Sequence, residues 1–373
     1  VGVDVPMTAT LERASASPVG IPPAISRMVG VGTAVAGTTV SQPALLDLLG
    51  IEDPKIRSIY LNSAIGTRRL TLPEPDASGV RRPEPQGALL AKHKRLAVEM
   101  GGQALQACLK NIGASLSDLR HLCCVTSTGF LTPGLSALMI KELGIDPHCS
   151  RSDIVGMGCN AGLNALNVVA GWSAAHPGEL GVVLCTEACS AAYALDGTMR
   201  TAVVNSLFGD GAAALALISD APGQSRPGPR ILKFASFLIT DAIDAMRYDW
   251  DSDLGRFSFF LDPQIPYVVG ANAETVVDRL LAGTGLRRRD IAQWLVHSGG
   301  KKVIDAVVVN LGLTRHDVRH TTRILRDYGN VSSGSFLFSY ERLVEEGVTR
   351  PGDYGVLMTM GPGSTIETAL VQW

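Results

Sequence analysis

Three residues in this chain have the types and settings that acyl-transfer chemistry needs: Cys159, His297 and Asn330. Cys159 lies in GMGCNAG, where SDIVGMG reads as a strand and NAGLNALNVVAGWSAAH as the helix after it. Glycines at 156 and 158 permit a sharp turn at that junction. A thiol at a helix start feels the positive end of the dipole, so a lowered pKa and a nucleophilic thiolate are expected. Most free cysteines are small buried hydrophobes. Cys108, Cys123, Cys124, Cys149 and Cys185 fit that description, while Cys189 is expected to reach a cavity. His297 ends the strand-like run AQWLVHSGG, and ligands of α/β folds gather at the carboxyl ends of strands. A satisfied core histidine is the competing reading, and it is the one given to His93, His121, His148, His176, His316 and His320. Asn330, after Tyr328-Gly329, reads by itself as an ordinary helix N-cap.

An internal echo changes the weight of Asn330. LSDLRHLCCVTSTG at 116–129 matches RRRDIAQWLVHSGG at 287–300. GCNAGLNALNVVAGW at 158–172 matches GNVSSGSFLFSYERL at 329–343, and GVVLCTEA at 181–188 matches GVLMTMGP at 355–362. Three matches in one order, at intervals of roughly 171 to 174 residues, indicate a duplicated unit. On this alignment Asn330 takes the place of Cys159, and His297 falls near Ser127. The two helix starts are expected to face each other, bringing the three residues together.

The strands are unbroken apolar runs, as in sheets covered on both faces by helices. Helical patterns fall at 133–144, 160–175, 267–283, 301–311 and 334–346. The expected fold class is α/β, a layered α/β/α/β/α chain of two halves, 1–225 and 226–373, with the connector at 221–229. Residues 1–30 read as a loose arm and 72–88 as a surface loop.

Composition narrows the function. With 46% hydrophobic and 18% charged residues, this is a well-buried globular enzyme. A net charge of −2 and 5% aromatic residues speak against nucleic-acid binding. No apolar run is long enough for a membrane span, and no signal peptide is evident. Seven scattered cysteines without a CxxC pair suggest reduced thiols in a cytoplasm and no metal site.

GMGCNAG around Cys159, HSGGKKVID after His297, YGNVSSGS around Asn330, LFGDGAAA at 207–214 and the closing MGPGST together resemble the chalcone-synthase-like type III polyketide synthases, from about residue 30 to Trp373. The resemblance implies a thiolase fold, a homodimer, and no cofactor beyond coenzyme A thioesters as substrates. It also implies that Cys159 carries the growing chain, and that His297 and Asn330 stabilise the enolate formed as malonyl-CoA loses CO2. Phe208 matches the family's gatekeeper between tunnel and cavity. Lys55 and Arg57 fall where the family binds CoA, and Lys301 and Lys302 are further candidates for that tunnel. Thr132 stands where plant relatives have methionine, Met360 where they have phenylalanine, and Cys189 and Ala192 where they have threonines. A cavity of different shape is implied. TSTGFLTPGLSAL, SRSDIVGMGCNAGLNALN and FFLDPQIPYVVGA are similar to a bacterial branch of the family serving glycopeptide-antibiotic pathways. That likeness implies malonyl-CoA as both starter and extender, four units in all, and cyclisation to 3,5-dihydroxyphenylacetyl-CoA with help from crotonase-like partner enzymes. A ketosynthase III-type condensing enzyme stays open as an alternative, although its histidine begins an HQAN-type motif and this chain has HSGG. A thiolase would need a second cysteine near the C-terminus, and none follows Cys189. An HMG-CoA synthase would need a glutamate base, for which Glu187 is a weak candidate. From other classes, a papain-like hydrolase does not account for the duplicated pattern, and a non-catalytic scaffold does not account for the triad.

Overall fold

Each apolar run becomes a strand that feeds two cores at once. The computed structural model describes residues 24–373 apart from 80, 195, 196, 222, 224 and 225. The first half contains β1 (Ser26–Ala34), β2 (Thr38–Ser41), α1 (Gln42–Leu48), α2 (Pro54–Leu61), β3 (Thr67–Leu70) and α3 (Gln86–Asn111). It continues through β4 (Leu119–Val125), α4 (Leu135–Leu143), β5 (Ser150–Ile154), α5 (Ala161–Ala175), β6 (Leu180–Glu187), α6 (Met199–Leu207) and β7 (Gly211–Ser219). The second half contains β8 (Arg230–Leu238), β9 (Met246–Asp251), β10 (Arg256–Leu261), α7 (Ile265–Leu281), β11 (Ile291–Val296) and α8 (Lys301–Leu311). It ends with α9 (Arg319–Tyr328), α10 (Ser335–Glu346), β12 (Tyr354–Gly361) and β13 (Thr365–Gln372).

Nine strands lie in the order β11-β12-β13-β8-β1-β7-β6-β4-β5. In the first half β4 runs parallel to β6, β6 antiparallel to β7, and β7 antiparallel to β1. The second half repeats this: β11 parallel to β12, β12 antiparallel to β13, β13 antiparallel to β8. The two sets meet where β1 pairs with β8 through Arg27 and Arg230. The duplicated unit is therefore visible in the hydrogen-bonding pattern itself.

Strand alternation sorts side chains into layers. Leu122 and Cys124 of β4 and Val182 and Leu184 of β6 join the core beneath α3 and α4. Their neighbours Cys123, Val125, Val183 and Cys185 join a second core around α5 and α10. From the other side Leu295, Leu357 and Ala369 enter this same central core, while Trp294, Val356 and Met358 pack with α7 and α8. The result is five layers, α3/α4, strands, α5/α10, strands, α7/α8. A helix covered on both sides must be apolar nearly all round. The run from Ser335 to Tyr340 in α10 is wholly buried, and α5 relies on small residues such as Ala161, Gly162 and Ala165 to fit.

The expected helices correspond to α4, α5, α7, α8 and α10, with ends within two residues. Three local expectations need correction. The first strand begins at Ser26, inside the stretch read as an arm; residues 1–23 lie outside the described ones. The loop read at 72–88 ends early, because α3 starts at Gln86. α9, like α1, α2, α3 and α6, falls outside the five expected helical patterns.

Candidate active site

Cys159 sits in a 3₁₀ turn, Gly158–Asn160, one step before α5. Gly158 has φ +62°, and a Cβ there would lie 2.5 Å from Cδ and Cγ of Pro362. Only glycine fits both the left-handed backbone and the contact. Replacing Gly158 with alanine is expected to cost about 2–4 kcal/mol of stability, the sum of αL strain and overpacking. Urea unfolding measures this; an unshifted midpoint would show that the turn adapts freely.

The second half builds the same turn before α10. Residues Ser332–Gly334 form a 3₁₀ turn, and Ser332 has φ +49°. A shift of 174 residues carries α5 onto α10, β6 onto β12 and Gly158 onto Ser332, so the two left-handed positions are equivalent. Cys159 then corresponds to Ser333, which corrects the expectation that Asn330 takes its place; Asn330 precedes the turn by two residues. The turns do meet. The Cys159 Sγ lies 3.4 Å from the Ser332 Oγ. At Gly162 a Cβ would come within 2.3 Å of the Ser333 carbonyl oxygen, so the close approach of the helix starts requires glycine.

Glu187, at the end of the apolar strand β6, ties this junction together. It is fully buried. Its carboxylate accepts from the Ser127 amide at 2.9 Å and the Ser127 hydroxyl at 2.8 Å. It also accepts from the hydroxyls of Ser332 at 3.2 Å and Ser333 at 2.6 Å. Burial pushes the Glu187 carboxyl up, and these hydrogen bonds oppose the push. Neither Glu187 in this role nor Ser332 was foreseen. The signal was a lone acid in GVVLCTEA, because a buried carboxylate must be hydrogen-bonded to persist.

The thiol does not behave as its helix position suggests. Burial pushes the Cys159 thiol up to about 12; the Ser332 contact works against this and the Glu187 charge adds to it. Desolvation outweighs the dipole, so the resting side chain is a thiol.

Asn330 is buried, and its Oδ1 accepts from the Ser332 amide at 2.8 Å. With the oxygen used as acceptor, the side-chain NH2 is left as the donor. The backbone of Asn330 is fixed on both sides: its N–H donates to the Leu207 carbonyl and its carbonyl accepts from Gly209. This places Asn330 beside Phe208. His297 is also buried, anchored by its N–H to the Met358 carbonyl, and its Nδ1 has no hydrogen-bond partner among the described residues. Burial pushes its pKa down to about 3, so the imidazole is neutral at physiological pH. No hydrogen bond joins it to Cys159 or Asn330 among the described residues.

His93 shares that behaviour; burial lowers it to about 4, with Nε2 2.8 Å from the Thr126 hydroxyl. Both histidines titrate lower in the folded chain than in the unfolded one. Below about pH 6.5 the unfolded state binds protons that the folded state refuses, so stability falls as pH drops toward 4. Each histidine contributes about 1.4 kcal/mol per pH unit in that window. His93→Gln is expected to reduce the slope of unfolding free energy against pH by about one proton between pH 6 and 4. An unchanged slope would show that His93 already protonates in the folded protein.

Two adjoining cavities serve the thiol. A small one of about 30 Å³ is lined by Cys159, Cys189, Ser332, Phe208, Tyr248 and Phe259, among others. A larger one of about 810 Å³ shares Ser127, Thr128, Gly158, Tyr248 and Pro362 with it and extends past Thr132. Phe208 is held in place by its carbonyl, which accepts from Arg68 at 2.7 Å and from the Tyr193 hydroxyl at 2.5 Å. Phe259 sets its ring at 90° to that of Phe208, 6.0 Å between centroids, and was not anticipated. The basic candidates lie elsewhere: Lys55 and Lys302 are exposed and line neither cavity. Arg57 caps the Ile51 carbonyl at 2.8 Å and lies 3.7 Å from Asp47, and Lys301 pairs with Asp305 at 2.5 Å.

Five α/β layers built from a repeated unit, with a cysteine where the two central helix starts meet and an apolar cavity over it, define a thiolase-fold condensing enzyme. The model of the chalcone and stilbene synthase N-terminal domain matches residues 88–222, and that of the C-terminal domain matches 252–373. Over its whole length the chain is 77% identical to a 3,5-dihydroxyphenylacetyl-CoA synthase of Amycolatopsis balhimycina, 100% of which is covered. It is 79% identical to one from Amycolatopsis orientalis over 94% of each chain. Among solved structures, the type III polyketide synthase 1,3,6,8-tetrahydroxynaphthalene synthase of Streptomyces coelicolor superposes with TM-score 0.83 at 26% identity, covering 93% of this chain and 99% of the other. PKS-I of the brown alga Ectocarpus siliculosus gives 0.87 at 25%, covering 94% and 99%. The chain belongs to the chalcone and stilbene synthase family and is a type III polyketide synthase, a malonyl-CoA-dependent condensing acyltransferase.

Proposed function

We propose that this enzyme joins four malonyl-CoA units, one as starter and three as extenders, and cyclises the chain to 3,5-dihydroxyphenylacetyl-CoA. The observation that carries the reading is the full-length 77% identity to a synthase of that name. The 810 Å³ cavity beside Cys159 has room for a chain of eight carbons.

In this reading, substrate entry brings the thioester carbonyl to Cys159. The sulfur attacks as its proton passes to the neutral His297 imidazole, and the amides of the turn before α5 receive the oxyanion. Free CoA leaves. A second malonyl-CoA then places its thioester oxygen against the His297 and Asn330 donors. As CO2 departs, its bonding pair becomes an enolate held by those donors. The enolate carbon attacks the Cys159 thioester, expelling the sulfur and leaving the lengthened chain on CoA; transfer back to the sulfur releases that CoA, and the cycle repeats. Phe208 and Cys189 shape the passage and the wall. Lys55, Arg57 and Lys302, which line neither cavity, would meet the CoA phosphates outside them, where those phosphates need cations.

The working unit is a homodimer. Phe130 is 75% exposed and Val155 70% exposed at the mouth of the larger cavity, next to Thr132, an apolar rim suited to a second copy. The enzyme works in the cytoplasm, in keeping with seven free cysteines and with no described helix long and apolar enough to cross a membrane. Crotonase-like enzymes act with it on the same product. Malonyl-CoA supplied as sole substrate tests the central point: mass spectrometry should show 3,5-dihydroxyphenylacetyl-CoA as main product. A product of different chain length, or none without another starter, would refute the assignment.

A further inference from the structure

The wall between the two cavities contains one hydroxyl with nothing to do. Tyr248 lies on β9 and lines both the small cavity at Cys159 and the larger one. The other hydroxyls of the small cavity are committed. Ser127 donates to Glu187, and so do Ser332 and Thr128, the last also accepting from the Ala188 amide; Tyr193 donates to the Phe208 carbonyl. The Tyr248 phenol makes no hydrogen bond among the described residues.

Its ring is nonetheless held. Tyr248 pairs with Phe259 across the β9–β10 hairpin, with ring centroids 5.0 Å apart, and Phe259 in turn meets Phe208 edge-on. Tyr248 is 42% exposed and borders both cavities. Burial pushes the phenol up, and the Cys189, Glu187 and Cys159 groups push it the same way. It is therefore a permanent hydrogen-bond donor, fixed in an apolar wall and in reach of whatever hangs from Cys159.

We propose that the Tyr248 hydroxyl donates to one ketone oxygen of the completed chain and so selects which carbonyl becomes the electrophile in ring closure; the proposal rests on the function assigned above. A poly-β-ketone carries identical acceptors on alternate carbons. In the small cavity at Cys159, where the other hydroxyls are committed, this fixed donor pins one of those acceptors and polarises it. An enolate carbon of the chain, formed by loss of a proton, then bonds to that carbonyl carbon. The C=O π pair moves onto the pinned oxygen, which takes the proton back and becomes an alcohol. Loss of that hydroxyl with a hydrogen of the neighbouring carbon, as water, leads on to the aromatic ring. Without the pin, attack of an enol oxygen on the thioester competes and gives a pyrone with release of the thiol.

The test compares wild type, Tyr248→Phe and Tyr248→His, all supplied with malonyl-CoA, and reads aromatic product and pyrone per CO2 released, which cancels changes in overall rate. Phe keeps the ring against Phe259, and melting curves check the fold. The aromatic-to-pyrone ratio is expected to fall at least tenfold in Tyr248→Phe and to recover at least in part in Tyr248→His, which keeps a ring N–H donor. A Tyr248→Phe ratio within twofold of wild type overturns the proposal. So does an equal fall in both variants, which would mark an effect of shape. If wild type itself yields no aromatic thioester, the assigned function fails and the proposal with it.

Discussion

Cys159→Ala is expected to form no acyl-enzyme on incubation with malonyl-CoA, and to make product about a hundredfold more slowly than wild type. The first outcome follows from position. Among the described side chains, Cys159 is the thiol at the meeting of the two central helix starts; Cys189 shares its cavity but not the turn. The second follows from the loss of a covalent intermediate, which divides one hard condensation into two easier steps. A hundredfold loss is about 2.7 kcal/mol of barrier. Residual turnover is expected because the donors and the cavity remain. Intact-protein mass spectrometry reads the adduct directly. A mass increase retained by the alanine variant would move the nucleophile elsewhere, with Cys189 the first place to look. The high resting pKa adds a kinetic expectation: at neutral pH without substrate, an alkylating reagent should modify Cys159 slowly, as a thiol.

The layers were readable because strands covered on both faces carry apolar side chains in every position, and the halves were readable because β4/β6 and β11/β12 repeat the same sequence pattern. What escaped did so for physical reasons. α3 places Lys92 and His93 in buried positions and carries Gly101-Gly102 mid-helix, features that argue locally against a core helix. Tertiary contact overrides them: a Cβ on Gly101 would sit 3.0 Å from the Thr186 hydroxyl, so the glycine lets the helix press against β6. At the site, Cys159, Cys189 and Phe208 line one small cavity with Ser332, whose amide Asn330 holds. The correspondence of Asn330 with Cys159 was misread because sequence similarity aligned Gly158 with Gly329, whereas the backbone aligns Gly158 with Ser332. A serine held at positive φ leaves no trace in a sequence. The role of Glu187 was obscured for a related reason: its partners, Ser127, Ser332 and Ser333, come from distant segments and look like loop serines until folded.

Glu187 should therefore be the most sensitive position behind the nucleophile. Truncation in Glu187→Ala strips the acceptor from one amide and three hydroxyls at once. An unpartnered buried polar group costs about 1–3 kcal/mol, and hydroxyls that can rotate to new acceptors recover some of it. A loss of about 3–5 kcal/mol in unfolding free energy is expected. Glu187→Gln separates packing from chemistry. The amide fills the same volume, but its NH2 must face either the Ser127 amide, at the Oε2 position, or the three hydroxyls, at the Oε1 position, so donors oppose one another in either orientation and the serine network must shift. If Ser332 turns, its hydroxyl leaves Cys159, and the contact that works against the rise of the thiol's pKa is lost. The Gln variant should then melt within about 2 kcal/mol of wild type while its acyl loading slows about tenfold, a barrier change of about 1.4 kcal/mol. Loading at the wild-type rate in a folded Glu187→Gln enzyme would mean that Ser332 holds its place without the carboxylate, and that the network braces the fold but does not tune the sulfur.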